Sequence, residues 1–326
     1  MKLKEILNKM KNMEPLSLRT KNDLLQINAK YEKNNQVLGY EIIIRITYRC
    51  NLNCEFCFVD HKTSSFSNER MDILIDELKK LDMRKNRIVL SGGEPTLHPK
   101  YFQYIDKLKE TNSKIITQTN AIVFSNPKNL KSLNENNQFF ISFPSPIENE
   151  YNKITDSKQF KNFLTGASNL SQNHFIELNH VIYRNNYKSF EELLCLVKER
   201  FNLYNTRLLI SNLGLLNKFD HKGKLVKYSK IIKEIKGPYK KHKDEINIGF
   251  TISGGCSFPL CILKKITPLE GKDYFKANKS MISFESFTKQ FYKNKKCLYC
   301  EYNSFCQGFP GIYVEKFGDE EIEPIS

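Results

Sequence analysis

Three cysteines lie within eight residues of this chain, at Cys50, Cys54 and Cys57. The apolar run at 41–46 comes just before them and predicts a buried strand, so the thiols are expected just beyond a strand end. Three thiolates on a four-iron cluster leave one iron without a protein ligand, and an open iron can bind a further molecule. Four thiolates indicate storage or electron transfer, whereas three indicate a substrate-binding cluster.

Other uses of closely spaced cysteines fit less well. Structural zinc takes a second ligand pair downstream, and no such pair occurs before residue 250. The lysine-rich chain of 326 residues shows no signal peptide and no run of eighteen apolar residues, which predicts a soluble cytoplasmic protein without a membrane span. Thiols stay reduced in that compartment, so a disulfide framework is disfavoured. Buried structural cysteines are disfavoured by the close spacing and the polar neighbours.

A second informative segment follows the next predicted strand, 87–91, and reads Gly92, Gly93, Glu94, Pro95. Paired glycines alone are weak evidence because glycine occurs in turns of every fold. Their position at a strand end strengthens the interpretation. Without a Cβ the backbone can approach a ligand closely, and the carboxylate beside it can accept hydrogen bonds from a ligand ammonium group.

Together the two segments resemble the radical S-adenosylmethionine (SAM) superfamily, whose cluster sequence is Cys-x3-Cys-x2-Cys with an aromatic residue before the last cysteine. The resemblance implies that Cys50, Cys54 and Cys57 hold a [4Fe–4S] cluster whose open iron binds SAM. It implies that Phe56 packs beside the adenine and that 92–95 bind the SAM amino group. The expected activity is reductive cleavage of SAM to methionine and a 5′-deoxyadenosyl radical, which abstracts a hydrogen atom from the substrate.

Short apolar runs alternate with longer helical segments from Glu41 onward, which is typical of βαβ units and a parallel sheet. The predicted strands are 41–46, 87–91, 114–118, 138–143, 175–183 and 206–211. The predicted helices are 68–82, 99–110, 126–134, 158–171 and 188–201. Six βα units are too few for a closed eight-stranded barrel. The resemblance implies an α/β fold with a partial (β/α)6 TIM-like barrel and a small cysteine-rich domain after it.

The chain is predicted to have four regions. An N-terminal helical extension covers 1–38, with the amphipathic residues Leu3, Ile6, Leu7 and Met10 before Pro15. The radical SAM barrel covers 39–211. A polar, lysine-rich connector covers 212–255, and its lysines are expected to form a solvated face. The auxiliary-cluster domain covers 256–326.

Functional groups of parallel barrels gather at the carboxyl ends of the strands, which directs attention to 117–120, Ser142 and Asn179. The stretch from Thr119 to Ala121 is similar to the Thr-Asn-Gly turn of the family. We therefore expect Asn120, Ser142 and Asn179 to contact SAM or substrate, although ordinary loop hydrogen bonding is the alternative. His180 is a weaker candidate. Cys195 lies in a helical apolar pattern and is expected to be a small core residue.

Five further cysteines follow the connector: Cys256, Cys261, Cys297, Cys300 and Cys306. Close thiolates repel one another unless a cation neutralises them, so the last three predict a metal site. The ligand type alone leaves zinc as an alternative metal, although zinc sites with four cysteines usually use two Cys-x2-Cys pairs and only one is present. The spacing resembles the auxiliary-cluster domain called SPASM or its shorter twitch form. The resemblance implies one auxiliary [4Fe–4S] cluster held by Cys261, Cys297, Cys300 and Cys306, with Cys256 as the alternate ligand.

The net charge of +15 comes almost entirely from lysine. Arginine is the residue favoured for bidentate phosphate and base recognition, so a nucleic-acid partner is disfavoured. The resemblance implies a flavodoxin- or ferredoxin-type reductant, and oxygen-labile clusters indicate a reducing cytoplasm.

The substrate class is less constrained by the sequence. Family members with an auxiliary cluster most often modify peptides by thioether formation, crosslinking or epimerisation, which is our first expectation. The sequence shows no attached leader-peptide domain, which weakens this expectation without removing it, because a separate leader-peptide-binding protein could supply that function. Radical modification of a nucleoside, sugar or cofactor precursor is the second expectation. An iron–sulfur scaffold or electron carrier is the non-enzymatic alternative, and the 92–95 segment argues against it because a carrier needs no SAM pocket.

Overall fold

The computed structural model describes residues 3–19, 24–31, 36–57, 59, 67–213, 222–252, 254–269 and 291–325. Parts of the predicted connector and of the predicted auxiliary-cluster domain, at 214–221, 253 and 270–290, lie outside the described residues. The chain divides into two compact units. Unit 1 comprises 1–53, 59–142 and 157–177, and unit 2 comprises 54–58, 143–156 and 178–326.

Unit 1 contains six strands that neighbour one another in chain order. They are β1 (Ser17–Arg19), β2 (Leu25–Tyr31), β3 (Val37–Thr47), β4 (Arg87–Gly92), β5 (Lys114–Thr119) and β6 (Asn137–Ser142). Its helices are α1 (Leu3–Lys11), α2 (Asn68–Leu78), α3 (Tyr101–Lys109) and α5 (Phe160–Asn173). The first three strands pair antiparallel, whereas β3 to β6 pair in parallel. The parallel register brings the carboxyl ends of β3 and β4 together, with Thr47 opposite Gly92.

The sequence of β3 explains why it forms a central strand. Ile42, Ile44 and Ile46 alternate with half-exposed residues and are almost fully buried. A β-branched residue at every second position suits a pleated surface with one face in the core. Strand β4 contributes Ile88, Val89 and Leu90 to the same core as a continuous buried run, which is typical of a strand covered on both faces.

Unit 2 contains the remaining elements. Its strands are β7 (Ile176–Ile182, whose first two residues belong to unit 1), β8 (Thr206–Asn212), β9 (Asn247–Phe250), β10 (Phe291–Tyr292) and β11 (Phe309–Pro310). Its helices are α4 (Glu148–Thr155), α6 (Phe190–Arg200), α7 (Tyr228–His242), α8 (Leu260–Leu263) and α9 (Gly311–Phe317). Strands β8 and β9 pair in parallel, and β10 pairs antiparallel with β11.

All six predicted strands are present, as β3 to β8, and the α/β class with a large parallel sheet is confirmed. The predicted helix at 126–134 is wrong. The chain makes short 3-10 turns at Ile122–Ser125 and Pro127–Leu130 instead. A turn starts at Asn126, whose side chain accepts a hydrogen bond from the Lys128 amide and is followed by Pro127. The turn does not extend into a helix because three asparagines between 134 and 137 favour local hydrogen bonds of their side chains.

The lysine-rich segment expected to be a polar connector contains helix α7 and strand β9. Helix α7 buries Tyr228, Ile231 and Ile235 on one face, so its lysines cover only the opposite face. The region before residue 38, expected to be helical, also contributes β1 and β2 to the sheet. No helix among the described residues is long and apolar enough to cross a membrane.

Candidate functional site

The segment that leads from β3 to the cysteine triad is held by the Gly-Gly-Glu turn. The amide of Gly93 donates to the Thr47 carbonyl at 2.8 Å, and the amide of Glu94 donates to the Arg49 carbonyl at 2.7 Å. These bonds continue the β3–β4 pairing beyond the strand ends, as far as the residue before Cys50. The turn therefore fixes the path by which the chain enters the triad.

The two glycines are required by this close approach. A Cβ on Gly92 would lie 1.9 Å from the Thr47 carbonyl oxygen, and one on Gly93 would lie 2.4 Å from the Arg49 carbonyl oxygen. Gly92 also has φ +145°, which side-chain-bearing residues rarely adopt. The sequence interpretation assigned the glycines to contact with a ligand. The structure shows that they allow contact with the backbone that precedes the cysteine triad, and contact with a ligand stays a prediction.

Glu94 is 1% exposed, and four protein donors bond to its carboxylate. Oε1 accepts from the amide and hydroxyl of Thr96 and from the Thr119 hydroxyl, and Oε2 accepts from the Asn120 amide at 2.7 Å. Burial raises the pKa of Glu94, although these donors act in the opposite direction. With one bond recorded, Oε2 has a further lone pair for a ligand donor. The bonded network holds that oxygen at the ends of β4 and β5.

Asn120 orders the turn after β5. Its side-chain amide donates to Asn51 Oδ1 at 2.7 Å, and its Oδ1 accepts from the Ile122 amide. Asn51 directly follows the first cysteine of the triad, so Asn120 connects the β5 turn to that segment. Ala121, which replaces the glycine of the family turn, has φ +62°. Ser91 and Gln118 form a further polar pair, with 2.6 Å between Ser91 Oγ and Gln118 Oε1.

In unit 2, the turn between the second and third cysteines is anchored through Glu55. The Cys57 amide bonds to the Cys54 carbonyl at 3.0 Å and closes the turn. The Glu55 carboxylate accepts from Tyr183 OH and from Asn185 Nδ2, and Lys224 Nζ donates to the Glu55 carbonyl at 2.5 Å. Burial acts to raise the pKa of Glu55, but these hydrogen bonds and the Lys224 charge hold it below its usual value.

Phe56 packs against Tyr183, with the ring centroids 5.5 Å apart in an edge-to-face arrangement. It borders a buried cluster formed by Ile154, Tyr183, Leu213 and Leu225. Sequence reasoning selected Phe56 but missed Glu55, Tyr183 and Lys224. Lys224 in particular was expected on a solvated face, and its side chain is 24% exposed.

The ends of β7, β8 and β9 carry a chain of polar side chains. Ser211 Oγ lies 2.6 Å from Asn179 Oδ1 and 2.7 Å from Thr251 Oγ1. Asn179 was selected from the sequence, whereas Ser211 and Thr251 were not. Ser142, the last residue of β6, is exposed. His180 is fully buried and bonds to the Phe143 carbonyl through Nδ1, and burial lowers its pKa to about 4, so it is a neutral structural residue.

Four of the carboxyl-terminal cysteines line one pocket in unit 2. They are Cys261, Cys297, Cys300 and Cys306. Backbone amides point at their sulfurs: those of Leu260 and Gly308 lie 3.5 and 3.3 Å from Cys306 Sγ, and that of Ile325 lies 3.4 Å from Cys300 Sγ. Amide-to-sulfur hydrogen bonds stabilise thiolates that bind iron. Burial raises the pKa of Cys261 to about 12, so a cation is needed to keep its thiolate.

Four cysteines in one pocket can bind either a zinc ion or an iron–sulfur cluster. The auxiliary cluster expected from the sequence stays a prediction for this pocket. Cys256 does not line it, and burial raises its pKa to about 11.

Cys195 is exposed, and the prediction that it belongs to the core is wrong. The buried residues of α6 are Phe190, Leu193, Leu194 and Val197. These positions follow the helical spacing of a core-facing stripe, and Cys195 projects from the opposite face of the helix.

The fold and these thiol-lined sites define an α/β protein suited to iron–sulfur chemistry. Residues 44–197 match the profile of the radical SAM superfamily. This chain therefore contains a radical SAM domain. Members of this superfamily are enzymes that use SAM and a [4Fe–4S] cluster, and the matched segment of this chain is similar to them.

Relatives and solved structures agree with this assignment. GTP 3′,8-cyclase of Helicobacter pylori is 29% identical over 175 residues, which are 51% of this chain and 54% of the cyclase. The chain thus spans about half the length of the curated relative. Streptococcus suis SuiB bound to precursor peptide SuiA is 14% identical with a TM-score of 0.56, over 89% of this chain and 74% of SuiB. The anSMEcpe structure with bound AdoMet is 13% identical with a TM-score of 0.55, over 87% and 92%. These likenesses show a shared fold, which confirms the partial barrel.

Proposed function

We propose that this chain is a radical SAM enzyme in which Cys50, Cys54 and Cys57 hold the SAM-binding [4Fe–4S] cluster. The observation that carries the proposal is the hydrogen bonding of the Gly-Gly-Glu turn to the residues just before Cys50. A storage or electron-transfer cluster has no need of such a turn. When bound, the cluster and SAM supply the reductive cleavage and the hydrogen-atom abstraction.

Residues around the strand ends orient SAM in this proposal. Glu94 Oε2 accepts a hydrogen bond from the SAM ammonium group. The four donors to the Glu94 carboxylate fix the group in place, and Oε2, with one recorded bond, keeps an acceptor direction. Gly92, Gly93 and Pro95 shape the turn that carries it. Phe56 packs beside the adenine, with its orientation set by Tyr183.

The polar strand-end residues are proposed to contact SAM or the substrate. Asn120 contributes through the ordered turn after β5, and Asn179 through its bond to Ser211. Ser142 is exposed at the end of β6 and can offer its hydroxyl. These groups position the reactants and exclude water from them, which is the contribution that a protein makes to cofactor-driven radical chemistry.

The carboxyl-terminal pocket is proposed to hold one auxiliary [4Fe–4S] cluster through Cys261, Cys297, Cys300 and Cys306. The shared pocket and the backbone amides on two of the sulfurs support this proposal. Cys256 does not line the pocket, which supports this ligand set over one containing Cys256. Ligation by four cysteines leaves no open iron. The cluster is therefore suited to electron transfer rather than to binding substrate directly.

A peptide is the proposed substrate. The four-cysteine pocket supports it, since family members with an auxiliary cluster most often modify peptides. A nucleotide is the second candidate, favoured by the 29% identity with GTP 3′,8-cyclase. The two candidates are distinguished by adding each one separately to the reduced enzyme: GTP, or a precursor peptide encoded near the gene for this chain. The true substrate is expected to raise the rate of 5′-deoxyadenosine formation above that without substrate, and its own mass is expected to change. The compound that is not the substrate is expected to show neither effect.

Anaerobic reconstitution followed by dithionite and SAM tests the activity itself. The wild-type chain is expected to release 5′-deoxyadenosine and methionine. A variant with Cys50, Cys54 and Cys57 replaced by alanine is expected to release neither while it keeps the absorption of the second cluster. Cleavage of SAM by that variant would refute the assignment of the three cysteines as cluster ligands. Failure of the wild-type chain to cleave SAM would refute the proposed enzymatic activity.

A further inference from the structure

Helices α6 and α7 bring together three side chains that ligate metals. Glu191 and Cys195 lie one turn apart on α6, and His242 is the last residue of α7. One oxygen, the sulfur and one ring nitrogen of these residues all lie within 4.8 Å of one another. This spacing suits a single ion. A carboxylate, a thiolate and an imidazole are the ligand types that zinc binds.

The two ring nitrogens of His242 lie near two different carboxylates. It is 4% exposed, its Nε2 lies 3.2 Å from Glu191 Oε1, and its buried Nδ1 has no hydrogen-bond partner among the described residues. A buried polar atom without a partner is uncommon in folded proteins. Nδ1 lies 4.0 Å from Glu245 Oε1. Metal-bound histidines typically donate the ring N–H opposite the metal to a carboxylate, and this approach needs only a small shift to become such a bond.

We propose that Glu191, Cys195 and His242 bind one zinc ion, with Nε2 as the histidine ligand and Glu245 orienting the ring through Nδ1. The thiolate and the carboxylate together neutralise the charge of the ion. Cys195 is exposed and the Glu191 side chain is 37% exposed, so the ion can enter from solvent and keep a water as its fourth ligand.

Lys241 is the group that zinc must displace. Its Nζ lies 2.5 Å from Glu191 Oε1, so it neutralises the carboxylate when no ion is bound. The lysine side chain is 65% exposed and can turn into water at little cost, because an exposed ion pair contributes at most about 1 kcal/mol. The zinc site shares no residue with either proposed cluster and is independent of the proposed function.

Competition between the protein and a chromophoric zinc chelator tests the site. Reconstituted holoprotein, freed of loosely bound metal, is titrated with zinc chloride. We expect one zinc per wild-type chain and one fewer for Cys195→Ala, with unchanged iron content. Glu245→Gln is expected to weaken binding by about 10- to 100-fold, whereas Glu192→Gln, at an exposed neighbouring position on α6, leaves it unchanged. Equal zinc stoichiometry and affinity in wild type and Cys195→Ala would overturn the proposal and leave an ion-pair network only.

Alkylation of Cys195 supplies a readout that does not depend on total metal. Zinc is expected to slow its reaction with iodoacetamide at least tenfold in the wild type, followed by mass spectrometry of the peptide that contains it. His242→Gln, with its helices shown intact by circular dichroism, is expected to lose this protection. Alkylation at the same rate with and without zinc in the wild type would refute the site.

Discussion

Alanine at each of three glycines separates the two constraints on the Gly-Gly-Glu turn. Gly92 combines a positive φ with a carbonyl oxygen that would lie 1.9 Å from an added Cβ, whereas Gly93 has the close carbonyl alone. Gly254 has φ +80°, and an added Cβ there would meet no atom of the described residues within 4 Å, so it serves as the matched control. The series therefore measures backbone strain alone, close approach alone, and both together.

The magnitudes follow from these contacts. A non-glycine residue at positive φ costs about 1–3 kcal/mol, and overpacking costs about 1–3 kcal/mol. The alanine recovers about 0.4–1 kcal/mol by restricting the unfolded chain. We expect losses in the free energy of unfolding of about 3 kcal/mol for Gly92→Ala and about 1 kcal/mol each for Gly93→Ala and Gly254→Ala.

Urea unfolding under anaerobic conditions measures these losses, and iron analysis measures their effect on the site. Because the turn fixes the chain that enters the triad, Gly92→Ala and Gly93→Ala are expected to lower iron at the first cluster. Gly254→Ala is expected to keep it. A loss for Gly92→Ala within about 0.5 kcal/mol of that for Gly254→Ala would refute the role of close approach.

Three further predictions follow from other contacts. Cys261→Ala is expected to lower iron from about eight to about four per chain, while Cys256→Ala keeps about eight; equal iron in both variants would contradict the ligand set. The pKa of Glu55 is lower in the folded chain than in the unfolded chain. The ionised carboxylate therefore stabilises the fold above the unfolded pKa of about 4.3, and this stabilisation is lost as the pH falls through the folded pKa. Below the folded pKa, the unfolding free energy of the wild type should approach that of Glu55→Gln. Gly166→Ala is expected to destabilise the protein by about 2 kcal/mol, because the added Cβ would lie 2.0 Å from the Ala121 carbonyl oxygen, which outweighs the better helix propensity of alanine. Thr165→Ala, at an exposed position on the same helix, is the control and should stabilise slightly.

The central strands could be predicted because their signals are local. Strand β4 reads as a short apolar run that ends in glycines, and the same runs recur along the parallel part of the sheet. Strand β9 was missed because it has only four residues and none of them is fully buried. Helix α7 was missed because its lysines and an internal Pro238 conceal the buried stripe.

The site shows the same division between local and distant signals. The cysteine triad and the Gly-Gly-Glu turn are contiguous, so their spacing alone identified them. The anchoring of Glu55 by Tyr183 and Lys224 joins residues 128 and 169 positions apart, and no local pattern reports such a pair. Cys195 was misassigned because its sequence neighbours Leu194 and Leu196 are apolar, whereas the helical period places it on the face opposite the buried stripe.

The amides directed at Cys300 and Cys306 have a consequence for electron transfer. Hydrogen bonds to cluster sulfurs withdraw electron density and raise the reduction potential. The donors are main-chain groups of Leu260, Gly308 and Ile325, so substitutions of nearby side chains leave them in place. In the proposed auxiliary cluster, this contribution to the electron affinity would therefore depend on the path of the backbone rather than on the side chains of the pocket wall.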